Sequence, residues 1–540
     1  MPTAAPFRTL GSAVASAPVL AALAVACGMH TQSTAAADAA GAPSVPFTES
    51  FRPQYHFSPA RNWLNDPNGL LHANGEYHLF FQYNPLGDKW GHMSWGHAVS
   101  ADLLHWRELP VAIPETEQGM IFSGSVVEDA HDSSGLGDGT HPPLVAIYTS
   151  AGRGERAPQR QHLAYSRDAG RTWTQYAGNP VLDIGSIAFR DPKVFYHEPS
   201  HAWIMVVSKA DEHRVAFYTS SDLKSWTHLS DFGPAGAVDG PWECPDFFEL
   251  PVDGDAANKR WVLKMDVFRS SLAQGSGAQY FVGRFDGKRF IPDPDPAQPG
   301  TAAPVQWVDH GADFYAALSW QNLPREPQRH VWVAWMNSHF YAQEIPTSPW
   351  RGAMTLPREV SLHDGHGYPR LRQVPMRELE ALRGTPVHIG ARPLNPGVTP
   401  LKLAPNAGKS MEILVVIEPG SAQEVGLNVR VGARERTVIG YDRTSSMLVF
   451  DRSRSGRIPS PVFAQRRNMP VRLRDGRVAL RIFIDWSSIE VFANGGEGVL
   501  TGQVFASPRS TGIELYARGI GARLVSMHAW PLRRAVGTAP

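Results

Sequence analysis

The chain has 540 residues, and its 51 Lys and Arg are matched by 51 Asp and Glu. That length is too great for one ordinary core and requires two or more domains, while a net charge of zero excludes the basic footprint of a nucleic-acid binder. Hydrophobic residues at 42% and charged residues at 19% exclude a disordered chain, and 16 Trp suit stacked sheets or the flat faces of sugar rings.

Residues 1–45 read as a targeting signal and tether. Arg8 precedes an apolar run, residues 15–26, shorter than the roughly 20 residues of a membrane-spanning helix. Ala24-Val25-Ala26-Cys27-Gly28 resembles a bacterial lipoprotein cleavage box, although such boxes prefer Leu, Val or Ile where Ala24 stands. The alternative is an ordinary signal peptide cut near Ala36 or Ala40. Either way the expectation is export: periplasmic, extracellular, or lipid-anchored to a bacterial membrane through Cys27. Once Cys27 is removed or acylated, Cys244 has no partner for an intrachain disulfide.

From residue 46 to 366 the sequence falls into short alternating runs, among them "EYHLFFQY", "LVAIYTS", "HAWIMVVSK", "RVAFYTS", "RWVLKMDVF" and "HVWVAWMN". Each has the length and composition of a strand, with Gly, Pro, Asp or Ser between runs. No long amphipathic helix competes, so the fold class is all-β. Ser100-Ala101-Asp102-Leu103-Leu104-His105-Trp106 recurs as Ser220-Ser221-Asp222-Leu223-Lys224-Ser225-Trp226, with a third variant, "SRDAGRTW", at 166–173. In each, the Asp bonds its own turn backbone and the Trp packs beneath, a structural unit. The spacing, roughly 55–65 residues, is that of one four-stranded propeller blade, so about 315 residues make about five blades.

Residues 367–389 are charged and partly helix-compatible, and read as a linker. Residues 390–536 return to short strands such as "MEILVVIEP" and "VALRIFIDWSSIEVFANGG", with a hairpin turn at Asn494-Gly495-Gly496. Seven or more such strands predict a β-sandwich.

Three acidic stretches stand out in the first domain: Asn65-Asp66-Pro67, Arg190-Asp191-Pro192, and Trp242-Glu243-Cys244-Pro245-Asp246. Proline restricts the residue before it, so the backbones at Asp66 and Asp191 are pre-set. The inner strands of a propeller converge on one axial cavity, where carboxylates from different blades can meet. Glycoside cleavage needs such a pair, one to support the anomeric carbon and one to protonate the leaving oxygen. An ionised neighbour raises the pKa of the second acid and keeps it protonated near neutral pH. Taken singly, each Asp-Pro turn is an ordinary structural turn. His92 and His97 fit no zinc spacing, and CxxC and HExxH are absent, so no metal or other cofactor is assigned.

"NWLNDPNGL", "FRDPKVF" and "WECPDFFEL", in that order, together resemble glycoside hydrolase family 32, the β-fructosidases that include invertases, levanases and inulinases. "IFSGSVV", "HGADFYAA", "WVAWMNS", "IPTSPWRGAMTLPRE" and "FIDWSSIEVFANGG" are similar to later landmarks, extending the resemblance over residues 50–535. It implies a five-bladed β-propeller followed by a C-terminal β-sandwich. It also implies a retaining hydrolase that releases fructose from fructans such as levan or inulin, and from sucrose, through a covalent fructosyl-enzyme.

By that resemblance Asp66 is the nucleophile, Glu243 the general acid/base, and Asp191 the carboxylate that holds sugar hydroxyls and stabilises the oxocarbenium-like transition state. Arg190 balances charge beside Asp191, and Asn65 and Trp63 position the acid and the sugar. Gln82, Trp90, Phe122, Ser123, Asp313, Tyr315 and Trp350 match the fructose pocket. The implied partner is a carbohydrate, with no nucleic acid and no membrane contact beyond Cys27. A fructosyltransferase remains an alternative, as does a non-catalytic fructan-binding propeller, against which the three intact acids argue. A sialidase-like propeller, raised by "SRDAGRTW", would need an arginine triad.

Overall fold

The computed structural model describes residues 47–537, apart from residues 155, 271–276, 295–304, 325–328, 366 and 405–406. The expected export segment and Cys27 lie outside the described residues. The alternating runs form strands. Asn62–Ala73 (β1), Glu76–Asn84 (β2), Ser94–Ser100 (β3) and Trp106–Ile113 (β4) pair in chain order, as do Met120–Glu128 (β5), Leu144–Ala151 (β6), Gln159–Ser166 (β7) and Thr174–Gln175 (β8). Phe189–His197 (β9), Ala202–Lys209 (β10), Arg214–Ser220 (β11) and Thr227–Phe232 (β12) make a third sheet. A larger sheet follows, from Trp242–Val252 (β13), Asp255–Val267 (β14), Gly277–Phe285 (β15), Phe290–Pro292 (β16), Gln306–Trp307 (β17), Tyr315–Ser319 (β18) and Val331–Trp335 (β19). Trp350–Arg351 (β20) returns to pair in parallel with β1, and Arg358–Asp364 (β21) and Pro369–Pro375 (β22) complete the larger sheet.

The leading strands close a ring: β1 packs on β5, β5 on β9, β9 on β13, β13 on β18, and β18 on β1. This is the propeller axis. Every strand of the ring breaks register against its ladder neighbour: β1 between Leu64 and Pro67, β5 between Ile121 and Gly124, β9 between Arg190 and Lys193, β13 between Glu243 and Asp246, and β18 between Tyr315 and Leu318. Such breaks bend a strand and re-aim its side chains. The motif acids stand at three of them.

The repeated turns are built as the sequence predicts. Asp102 Oδ1 accepts from the backbone N–H groups of Leu104 and His105, and Asp222 Oδ1 from those of Lys224 and Ser225. Trp106, Trp173 and Trp226 each donate Nε1–H to a carbonyl three residues back, at Leu103, Gly170 and Leu223.

The second domain is two facing sheets of seven and six strands. Ile413, Val415, Ile482 and Val491 from one sheet share a core with Leu427, Ile439, Leu448 and Leu515 from the other. The expected linker is shorter than residues 367–389. Pro369–Pro375 is a propeller strand paired with β21, and Val387–Ile389 already pairs with Ala522–Pro531 of the sandwich. The arginines of "PRLRQVP" hide an alternation in which Leu371, Gln373 and Pro375 are buried. Between them, Arg377–Leu382 forms a 3₁₀ helix that buries Leu379 and Leu382.

Buried charge joins the two domains. Arg358 of β21 reaches Asp309 at 3.0 Å and Glu490 of the sandwich at 2.6 Å. His56 bridges Asp485 and Glu490 at 2.7 and 3.0 Å. Burial alone would lower the His56 pKa, but its bonds to the two carboxylates outweigh that and lift it to about 9.

Candidate active site

A cavity of about 300 Å³ opens on the ring and is lined by Trp63, Asn65, Asp66, Gln82, Trp90, Phe122, Ser123, Arg190, Asp191 and Glu243, together with Phe268, Arg269, His339, Ala342 and Gln343. All three motif acids therefore share one chamber, although 177 positions separate Asp66 from Glu243 in the chain. A second cavity, of about 360 Å³, has walls of Phe195, Tyr196, Trp203 and Trp261 and holds none of the three.

Asp66 is fixed by a relay. Trp63 Nε1 donates to Asn65 Oδ1 at 2.7 Å, which turns the amide so that Asn65 Nδ2 donates to Asp66 Oδ1 at 2.9 Å. Ser123 Oγ, from β5, donates to the other oxygen, Oδ2, at 2.7 Å. Gly69 lies within β1 at its next register break, between Asn68 and Leu71, with φ +53°; a Cβ there would lie 2.7 Å from Val126 and 2.8 Å from Phe80. The aromatic, the amide and the glycine of "NWLNDPNGL" thus each have a separate task.

Asp191 has φ +66°, an unusual conformation for a non-glycine residue. Its backbone N–H donates to Thr149 Oγ1 at 2.9 Å; Thr149 donates to Gln161 Oε1 at 2.9 Å, and Gln161 Nε2 returns to the carbonyl of Phe189 at 2.9 Å. Cys244, at φ +48°, gives its backbone N–H to Asp191 Oδ2 at 3.0 Å. Its Sγ lies 3.6 Å from both Asp66 Oδ2 and Asp191 Oδ2. Burial, then the charges of Asp191 and Asp66, push the Cys244 thiol well above its ordinary value, so it stays a neutral donor between two acids.

Arg190 grips Glu243 Oε1 with Nε at 3.0 Å and Nη2 at 2.8 Å, while Tyr315 donates to Glu243 Oε2 at 2.5 Å. Burial would raise Glu243, but the Arg190 charge and the Tyr315 bond outweigh it and hold the carboxyl below its ordinary value. Burial raises Asp66 despite the bonds from Ser123 and Asn65, and the charge of Glu243 adds to the rise. Asp191 is raised by burial, against the nearby Arg190 and with the charges of Glu243 and Asp66.

Most expected pocket residues face the cavity. Gln82 Nε2 is buried and has no protein partner among the described residues, a donor suited to a sugar hydroxyl. Trp90 is exposed and edge-on to Phe122, with centroids 6.1 Å apart. Tyr315 is off the wall and acts on Glu243 instead. Two further expectations are corrected. Asp313 is fully buried away from the cavity: its Oδ2 pairs with Arg452 of the sandwich at 2.5 Å and its Oδ1 accepts from Tyr341 at 2.6 Å. Trp350 is buried too and off the cavity wall, with the Arg52 guanidinium 3.5 Å from its ring centroid and so covering one face of the ring.

The first domain matches the model described as glycosyl hydrolases family 32 N-terminal domain over residues 56–375, and the second matches the family 32 C-terminal model over residues 378–531. The chain belongs to glycosyl hydrolase family 32. It is similar to the levanase of Bacillus subtilis (strain 168), 46% identical over 513 residues, covering 94% of this chain and 74% of that protein. It is also similar to the extracellular exo-inulinase of Aspergillus ficuum, 40% identical over 504 residues, covering 88% and 93%. Among solved structures, exo-inulinase from Aspergillus awamori superposes with a TM-score of 0.82 at 37% identity, covering 91% of this chain and 99% of that one. The β-fructofuranosidase of Schwanniomyces occidentalis complexed with fructosyl-erythritol gives 0.81 at 29%, covering 91% and 100%.

In this family 32 hydrolase, Phe268, Arg269, His339, Ala342 and Gln343 complete the cavity wall and were not legible in the sequence. Phe268 and Arg269 follow the end of β14, His339 lies in the loop after β19, and Ala342 and Gln343 open a 3₁₀ helix, Ala342–Glu344, so no local pattern marks them. The one available signal was "WVAWMNS", the landmark that leads into His339. Among the described residues, no cluster of His, Cys, Asp and Glu is placed to hold a metal ion.

Proposed function

We propose that the protein is an exo-acting β-fructosidase that hydrolyses terminal fructose from levan, inulin or sucrose with retention of configuration. What carries the reading is one cavity in which Asp66, Asp191 and Glu243 converge, each held by different partners. Its volume, about 300 Å³, lies at the lower end of ligand pockets and suits a chain terminus rather than a polymer threaded through.

In the first step Asp66 attacks the anomeric carbon, forming a C–O bond as the glycosidic C–O bond breaks, and Glu243 gives its proton to the departing oxygen. In the second, Glu243 takes a proton from water, whose oxygen displaces Asp66 and frees fructose. Asp191 accepts sugar hydroxyls and stabilises positive charge at the ring oxygen and anomeric carbon. Before substrate binds, Arg190 keeps Glu243 ionised while burial favours protons on Asp66 and Asp191. Substrate reverses that order. Sugar hydroxyls donating to Asp66 and Asp191 favour their ionised forms, and a glycosidic oxygen accepting from Glu243 favours its protonated form.

The propeller on this reading has five blades, one led by each strand of the ring, with domains meeting near residues 375–387. The apolar run at 15–26 supports export; anchoring at Cys27 rests on the sequence alone and lies outside the described residues.

The test is to incubate the purified enzyme separately with sucrose, inulin and levan and chromatograph the products. Fructose as the sole early product from the polymers is expected. Oligosaccharides mean endo cleavage, and products longer than sucrose mean transfer.

A further inference from the structure

Lys264 stands on β14, bonded to the carbonyl of the residue that follows Glu243, and is fully buried. An ammonium has three N–H donors, and here each has an acceptor: the carbonyl of Cys244 at 3.0 Å, the carbonyl of Ala317 at 2.8 Å, and the carboxylate of Asp266. The two carbonyls belong to the register breaks that carry Glu243 and Tyr315. Cys244 follows Glu243 and has φ +48°; Ala316, between Tyr315 and Ala317, has φ +56°. No ladder joins β13 to β18, since β21 and β19 lie between them in the sheet order. The ammonium is therefore a direct tie between the backbones bearing the two ends of the Tyr315–Glu243 hydrogen bond.

We propose that Lys264 is a positioning residue for proton transfer to the leaving group: it locks the two left-handed segments so that Tyr315 and Glu243 present one acid in a fixed orientation. This rests on the reading of Glu243 as general acid. The lysine touches no substrate and acts only through the groups it holds.

The test uses two substrates that differ in their need for a proton, sucrose and p-nitrophenyl β-D-fructofuranoside, whose nitrophenolate departs unprotonated. The variant is K264M/D266N, which leaves neither a lone buried ammonium nor a lone carboxylate. The expected result is a loss of about 10- to 100-fold in kcat/KM on sucrose, the size of a small misplacement of a catalytic group, with kcat/KM on the aryl fructoside within about threefold of wild type. Equal losses on both substrates, or no loss on sucrose, overturn the proposal. If the double variant does not fold, K264R keeps the charge while displacing the donors, and the same comparison decides with the same outcomes. E243Q is the control, read in kcat/KM because its second step has lost the base: if kcat/KM on the aryl fructoside falls with that on sucrose, the reading of Glu243 falls, whereas if E243Q keeps it and the Lys264 variants do not, only the role of Lys264 falls.

Discussion

Arg190 and Glu243 form a two-pronged ion pair inside the cavity, with Nε at 3.0 Å and Nη2 at 2.8 Å from the same carboxylate oxygen. The guanidinium is the largest influence opposing burial at Glu243, and it sets the acid below its ordinary value. Arg190→Gln removes that charge, so the Glu243 pKa rises. A general acid works while protonated, and bound substrate restores its proton, so the alkaline limb of kcat should move to higher pH as the maximum falls. A pH–rate profile on sucrose checks this, and a limb that stays in place contradicts the pairing.

Glu243→Gln keeps the shape of the acid but cannot donate and then accept a proton. Turnover of sucrose should fall by about 10²–10⁴-fold, with substrate affinity within a few-fold of wild type. Steady-state rates and direct binding measurements separate the two effects. Near-normal turnover would remove Glu243 from the mechanism.

Asp313→Ala leaves Arg452 buried without its carboxylate. Breaking a buried pair in this way costs about 3–5 kcal/mol. Chemical denaturation should show that loss, while KM for sucrose stays near wild type under conditions where the variant is folded. A raised KM at unchanged stability would return Asp313 to the sugar site.

His56, held by Asp485 and Glu490, titrates at about 9 in the fold against 6.5 for the free side chain. A raised histidine stabilises fully below its unfolded pKa, so this contribution, roughly 3 kcal/mol, is present below about pH 6.5 and is lost as pH rises through about 9. Denaturant midpoints of wild type should fall between pH 6 and 10 more steeply than those of His56→Gln. Parallel curves would show that the imidazole is not the coupled group.

The strands and the acids were legible in the sequence for local reasons. Apolar runs of strand length over 76–84 and 202–209 report strands buried on both faces, and the Asp102, Asp168 and Asp222 turns bond their own backbones. What could not be read depends on contacts far apart in the chain. Asp313 looked like a sugar ligand because its decisive partner, Arg452, lies 139 residues on and in the other domain. Trp350 looked like a stacking platform because nothing nearby announces Arg52 on its face. The Thr149–Gln161 support for Asp191 and the Lys264 tie are likewise set by the closing of the ring.

The covalent step is the centre of the account. Glu243→Gln, mixed with p-nitrophenyl β-D-fructofuranoside and quenched, should carry one fructosyl group, because the first step no longer needs the acid and the second has lost its base. Peptide mass mapping should place that group on the segment containing Asp66, and Asp66→Asn in the same background should carry none. A fructosyl group on another carboxylate, or steady release of nitrophenolate from an enzyme that never carries the sugar, would contradict the assignment of Asp66 as nucleophile.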